Sequence, residues 1–110
     1  MPVNISSFIV QEEAIKDINK DFGKSDRERL KEAITKTETN VVDFGRQPQL
    51  HNEYAKLGRV YSFSVYRKWV GNSLARFLFG IDGGKMKLFA VVPKDDDTYD
   101  STSYYQRLKD

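Results

Sequence analysis

Hydrophobic residues recur at helical spacing in the first third of the chain. They fall three or four positions apart with charged residues between them: Ala14, Ile15, Ile18 and Phe22 in one stretch, then Leu30, Ala33 and Ile34 in the next. This spacing puts the apolar side chains on one face of a helix. Gly23 separates the two stretches, and Ser25 with Glu28 has the spacing of a capping box. The pattern therefore predicts helices over residues 11–22 and 26–38, joined by a tight turn.

The rest of the chain alternates between apolar and polar residues, as strands do. Residues 59–67, 74–81 and 86–92 show this pattern or a continuous apolar run, and Asp82-Gly83-Gly84 is a strong hairpin signal between the last two. The run at 86–92 is apolar on both faces, which predicts a strand inside the sheet.

Shorter segments complete the predicted order of elements. The apolar residues of 5–10 predict a first strand before the helices, 40–58 and 69–73 predict connections, and 101–108 predicts a short final helix. The sequence thus predicts the α+β class, with two N-terminal helices packed on an antiparallel sheet. A length of 110 residues fits a single domain, 1–110.

Composition limits the chemistry and the cellular location that this domain can have. A hydrophobic fraction of 39% is enough for one core, and the absence of cysteine excludes disulfides, thiolate metal sites and cysteine nucleophiles. No apolar run approaches the roughly 20 residues that span a bilayer. The first seven residues lack the basic and apolar regions of a signal peptide. We therefore expect a cytoplasmic protein with no membrane contact.

Positive charge is concentrated in the middle of the chain. Residues 44–76 carry six bases against one acid, whereas residues 1–43 have nine acids against seven bases. A basic segment between acidic flanks indicates a surface that meets an anion. The alternative is a solvated basic face with no partner.

Few residues offer metal or cofactor chemistry. His51 is the sole histidine, and the aspartate run 95–97 with Asp100 does not match the spacing of a calcium-binding loop. The sequence has no phosphate-cradling Gly-x-x-x-x-Gly-Lys motif and no nucleophile elbow. We therefore predict no metal and no cofactor.

The remaining chemistry lies in a set of basic and aromatic residues. Its members are Arg59, Tyr61, Tyr66, Arg67, Lys68, Trp69, Arg76, Lys94, Tyr99, Tyr104 and Tyr105. Cations can hold phosphates, and aromatic rings can stack on unpaired bases. Arg76 lies within an apolar strand, so its charge needs water, an anion or an acidic partner. Trp69 and the tyrosines could instead belong to the core or its rim.

The order of elements and several segments resemble the RelE/ParE toxin superfamily. Gly58–Val65 resembles the family's G-x-Y-x-x-R-V strand, Ala75–Phe79 its Y-R-I-x-Y/F strand, and Leu88–Val92 the apolar strand that follows. Lys94–Tyr99 occupies the place of its H-R-x-x-x-Y ending. Only Arg76 and Tyr99 match residues that are tied to function in the family. Ser64 replaces a frequent arginine, and Lys94 followed by three aspartates replaces the usual His-Arg.

The resemblance implies a toxin of a type II toxin–antitoxin system. Such a protein enters the ribosomal A site and cleaves messenger RNA through attack by a 2′-hydroxyl, without a metal. Arg76 would stabilise the phosphorane, Lys94 would act as a cation or base, and Tyr99 would orient the nucleophile or exchange protons. Four further residues would bind RNA: Arg59, Arg67, Lys68 and Trp69. The expected partners are messenger RNA, the ribosome and a cognate antitoxin protein.

Two alternatives stay open at this point. One is a non-catalytic member of the same fold that binds a protein, such as a ParE-like toxin directed at gyrase. The other is an unrelated small module that binds nucleic acid or protein.

Overall fold

The elements follow one another in the order helix pair, then sheet. The computed structural model describes residues 4–96 and 99–109. The strands and helices are β1 (Ser7–Val10), α1 (Glu12–Asp21), α2 (Lys24–Glu38), β2 (Ala55–Val60), β3 (Phe63–Val70), β4 (Ala75–Asp82) and β5 (Lys85–Pro93). A π-helical turn (Thr39–Asp43) extends α2, a short 3₁₀ turn covers Pro48–Leu50, and a C-terminal 3₁₀ helix covers Ser101–Leu108. The predicted α+β class, with two N-terminal helices, is confirmed.

The start of α2 differs from the prediction. Gly23 lies in extended backbone with φ −74° and ψ 172°, and its carbonyl accepts from the Arg27 N–H at 2.8 Å. Gly23 is therefore the N-cap, and Ser25 lies inside the helix, where it cannot cap the start. The predicted capping box of Ser25 and Glu28 is wrong because the helix begins as soon as the turn from α1 ends.

The sheet is mixed rather than purely antiparallel. Its strand order is β1-β5-β4-β3-β2, in which β2 to β5 are antiparallel and β1 pairs with β5 in parallel. The Gly84 carbonyl accepts from the N–H groups of Ser6 and Ser7 at 2.8 and 3.1 Å, which docks the start of β1 beside the β4–β5 hairpin. Alternation of apolar and polar residues indicates a strand, but it does not show whether the neighbouring strand is parallel or antiparallel. The prediction of an antiparallel sheet is therefore wrong for β1.

The first predicted strand of the antiparallel part is in fact a hairpin. β2 lies in the segment predicted as a loop, and Val60 pairs with Phe63 across a turn at Tyr61 and Ser62. Tyr61 has φ 55°, a conformation that usually favours glycine or asparagine. Because Tyr61 gives no turn signal and the alternation continues through it, the pattern resembles one strand. β3 continues to Val70, so the connection between β3 and β4 is shorter than the predicted one at 69–73.

The two faces of the sheet carry different layers. α1 and α2 pack on one face through Ala14, Ile18, Leu30 and Ile34. On the opposite face, the C-terminal 3₁₀ helix packs Leu108 against a second cluster from β3, β4 and β5: Phe63, Val65, Leu78, Phe89, Ala90 and Val92. β5 is buried on both faces, as predicted, and lies between β1 and β4. We call the second face the C-terminal face.

A bulge in β5 leaves two polar backbone groups that side chains must satisfy. The pairing of β4 with β5 shifts between Leu78 and Phe79, so Phe89 is an extra residue in β5. β1 ends opposite Leu88, just before this point. Beyond it, the Phe89 carbonyl accepts from Arg107 Nη1 at 3.0 Å, and the Val91 N–H donates to Asp17 Oδ2 at 3.0 Å.

Asp17 and Arg107 also bind each other through two hydrogen bonds. Arg107 Nη1 and Nη2 lie 2.7 and 3.1 Å from the two carboxylate oxygens of Asp17. The side chains are 13% and 24% exposed respectively, so the pair is mostly shielded from water. The Arg107 carbonyl also accepts from Gln11 Nε2 at 3.1 Å. This network joins α1, β5 and the C-terminal 3₁₀ helix.

We predict that Asp17→Asn lowers the free energy of unfolding by about 2–4 kcal/mol, because it leaves Arg107 and a strand N–H poorly satisfied. Urea unfolding measures the change. The control is Glu12→Gln, which removes an exposed helix ion pair with Lys16 and should stay within about 0.5 kcal/mol of wild type. Equal stabilities of the two variants would contradict this role of Asp17.

Candidate nucleic-acid interface

Three of the predicted site residues share the C-terminal face of the sheet. In β3 and β4, Trp69 lies directly opposite Arg76, and Arg67 lies opposite Leu78. Residues that are opposite each other in neighbouring strands point to the same face, so Arg67 is the diagonal neighbour of Arg76. Phe63 and Val65 on the same side of β3 belong to the cluster under the C-terminal 3₁₀ helix. The sheet therefore brings two arginines and a tryptophan together.

The Arg76 guanidinium is held between two aromatic rings. Its central carbon lies 4.7 Å from the centre of the Trp69 ring and 4.2 Å from that of Tyr99. A guanidinium at such distances is attracted to the electron-rich ring face. Trp69 is 40% exposed, so one side of this stack reaches solvent.

Two backbone carbonyls accept hydrogen bonds from the same guanidinium. Arg76 Nη1 donates to the Pro93 carbonyl at 3.0 Å, and Nη2 donates to the Lys94 carbonyl at 3.3 Å. These bonds use two of the five N–H donors of a guanidinium. Within residues 4–96 and 99–109, no carboxylate forms an ion pair with Arg76. Among the described residues, its charge is therefore positioned by neutral groups, which leave some of its donors unused.

Tyr99 presents its ring to Arg76 while its hydroxyl points inward. The hydroxyl oxygen is buried and has no hydrogen-bond partner among the described residues. Burial raises the pKa of Tyr99, although the charges of Arg67 and Arg76 oppose the shift. The Ser101 hydroxyl is bonded to Tyr105 at 3.1 Å and is also near enough to the Tyr99 hydroxyl to act on its pKa, which it lowers. The phenol is thus protonated at neutral pH and shielded from solvent, which suits a stacking platform better than a proton carrier.

Arg67 stands next to this stack. Its charge acts on the pKa of Tyr99, and its Nε is buried without a partner in the described part of the chain. A buried donor without an acceptor is costly, so an incoming anion or water would satisfy it.

Lys94 contacts the site through its backbone. Its carbonyl accepts from Arg76, and its N–H donates to the Leu74 carbonyl at 3.1 Å, which closes the end of the β4–β5 ladder. The side chain is exposed. Lys94 is therefore next to Arg76 through its backbone. Of the acidic segment that follows, Asp97 and Thr98 lie outside the described residues.

Lys68 and Arg59 lie on the other face of the sheet. Lys68 is opposite Phe77, and Arg59 is opposite Ser64, so both point to the side of the helices. The Lys68 ammonium is 3.4 Å from Glu53 Oε2 and 5.0 Å from the ring centre of Tyr54. Arg59 is exposed near the outer edge of the sheet. The structure thus separates these two predicted RNA-binding residues from the Arg76 stack.

A cluster of metal ligands and a membrane-spanning helix are both absent from the described ranges. No group of three or more metal-ligating side chains comes together among these residues. No helix in the same part of the chain is long and apolar enough to cross a bilayer. Comparisons with protein-family models, with curated proteins and with solved structures found no match.

We predict that the ring of Tyr99, rather than its hydroxyl, stabilises this site. Tyr99→Phe should keep or raise the free energy of unfolding, by up to about 1 kcal/mol, because it removes a buried unpartnered hydroxyl. Tyr99→Leu should lower it by about 1–2 kcal/mol through loss of the contact with Arg76. Urea unfolding of both variants tests this, and a loss in Tyr99→Phe as large as that in Tyr99→Leu would assign the role to the hydroxyl.

Proposed function

We propose that this protein is a toxin of the RelE/ParE type that binds a messenger RNA phosphate at Arg76 and promotes its cleavage on the ribosome. The observation that carries the proposal is the Arg76 guanidinium, which is oriented by two rings and two carbonyls and has no carboxylate partner among the described residues. The order of elements, with a first strand, two helices and then antiparallel strands, supports the same proposal.

The proposed reaction places developing negative charge next to Arg76. The 2′-hydroxyl oxygen of one nucleotide bonds to the adjacent phosphorus, and the bond from phosphorus to the 5′-oxygen breaks. The products are a cyclic phosphate and a free 5′-hydroxyl, after one proton leaves the nucleophile and one joins the leaving oxygen. Arg76 would stabilise the negative charge of the phosphorane. A cation that the protein already holds in place does this better than water, because no solvent has to reorganise during the reaction. Arg67 would add a second cation from the diagonal position.

The aromatic residues would hold the RNA around that phosphate. The partly exposed indole of Trp69 offers a surface on which an unpaired base can stack, a contact worth roughly 1–3 kcal/mol. Tyr99 would keep the guanidinium flat against Trp69. Of the predicted catalytic residues, Lys94 contacts Arg76 through its carbonyl and has an exposed side chain, which would have to reach the phosphate to move a proton.

The proposed partners would bind the surface around Arg76. Messenger RNA and the ribosome would supply the phosphates, and a cognate antitoxin would neutralise the toxin by covering Arg76 and its neighbours. Binding to phosphates through arginine and lysine should weaken as salt rises.

A second candidate is a non-catalytic relative that binds a protein target such as gyrase. The burial of the Tyr99 hydroxyl favours it, because a phenol without access to substrate leaves the site with fewer proton-transfer groups. In that case Arg76 would bind a carboxylate of the target rather than a phosphate.

We predict that Arg76→Met abolishes growth arrest when the protein is expressed without an antitoxin. In a reconstituted translation system it should slow messenger cleavage by about 10²–10³-fold, the usual cost of one transition-state donor. Tyr99→Phe should retain most of the activity because the ring remains.

Lys85→Met is the matched control, since Lys85 is exposed at the hairpin between β4 and β5. It should behave as wild type. Arrest that persists in Arg76→Met, or cleavage that is absent with the wild-type protein on translating ribosomes, would contradict the nuclease proposal. Inhibition of purified gyrase by the wild type would select the second candidate.

A further inference from the structure

A second cluster of cations surrounds a cleft on the helix-covered face of the sheet. The cleft has a volume of about 260 Å³ and lies between the end of α2 and the end of β3. Its walls are formed by Lys36, Thr37 and Asn40 on one side and by Glu53 and residues 68–71 on the other. Lys68 and Arg76 point to opposite faces of the sheet, although Trp69, which contacts Arg76, also lines the cleft.

Two cations contact one carboxylate in this cluster, and a third lines the same cleft. Glu53 Oε1 accepts from Arg46 Nε at 2.8 Å and also from Arg46 Nη2, while Glu53 Oε2 lies 3.4 Å from Lys68 Nζ. Lys36 lines the same cleft. Burial is the main cause that lowers the pKa of Lys68, and the charges of Arg46 and Lys36 lower it further. The cleft lining itself therefore contains two basic side chains, Lys36 and Lys68, and one carboxylate, Glu53.

The Lys68 ammonium is fixed rather than free to move into solvent. Its side chain is 16% exposed, and its head group lies between the Glu53 carboxylate and the ring of Tyr54. An ammonium has three N–H donors, and the contact with Glu53 uses one of them. Asn40 and Thr37 add neutral polar side chains to the opposite wall. The cleft thus combines a positioned cation, a second cation and polar groups.

Charge and size together indicate the class of ligand. Pockets for drug-sized molecules typically measure roughly 300–1,000 Å³, so this cleft suits a smaller ligand. A phosphate monoester carries a charge of about −1.5 to −2 at neutral pH, which is opposite in sign to the excess of lysine over carboxylate in the cleft lining. We propose that the cleft binds the phosphate group of a small molecule between Lys36 and Lys68. This site does not depend on the proposed RNA cleavage.

Titration with inorganic phosphate tests the site. Amide resonances of residues 68–71 and of Asn40, followed by ¹⁵N NMR at constant ionic strength in chloride, should shift and saturate. Lys68→Met should weaken binding by about tenfold or more, as expected for loss of a charged hydrogen bond. Lys36→Met alters an exposed side chain with little risk to the fold, and it should weaken binding too.

Two controls separate this site from others. Lys85→Met, at an exposed residue outside the cleft lining, should bind phosphate as wild type does. Ribose 5-phosphate that binds more tightly than inorganic phosphate would identify an esterified ligand, and equal affinities would identify the free phosphate group. Shifts that do not saturate, or an affinity unchanged in both Lys68→Met and Lys36→Met, would overturn the proposal.

Discussion

The paired hydrogen bonds between Asp17 and Arg107 hold the two layers of this fold to one another. The β5 bulge at Phe89 turns a carbonyl and, two residues on, an N–H toward the side where β1 has ended. Arg107 and Asp17 satisfy these groups and each other, which fixes the C-terminal 3₁₀ helix against α1 and the sheet. The same segment begins two residues after Tyr99, whose ring lies over Arg76.

The Arg76 site is unusual in how its charge is held. Buried or half-buried arginines commonly pair with carboxylates, whereas Arg76 is oriented by the rings of Trp69 and Tyr99 and by two carbonyls. Such neutral contacts position a cation without cancelling its charge. Among the described residues, this arrangement leaves a positive charge without a carboxylate partner on the C-terminal face, although the whole chain has a net charge of only +2.

How far the sequence predicts this structure depends on the kind of signal. Helical periodicity located α1 and α2, and the apolar run at 86–92 located an interior strand. The turn at Tyr61 was missed because a positive φ in tyrosine has no sequence signature. Alternation of apolar and polar residues predicted that Arg67 and Arg76 lie in strands. It did not predict the strand registers, which bring Arg67, Trp69 and Arg76 to one face. The same registers put Lys68 and Arg59 on the other face. The β5 bulge and the Asp17–Arg107 pair, 90 residues apart in sequence, left no local pattern.

The central claim is that Arg76 and Trp69 together grip one nucleotide of single-stranded RNA. Side-chain NMR of the arginine Nε–H groups and of the single indole N–H, during titration with a short unpaired RNA, tests it most directly. We expect the Arg76 and Trp69 signals to shift together and to saturate at the same RNA concentration, with the effect reduced at high salt. Shifts confined to other arginines, or none at the Trp69 indole, would contradict this account.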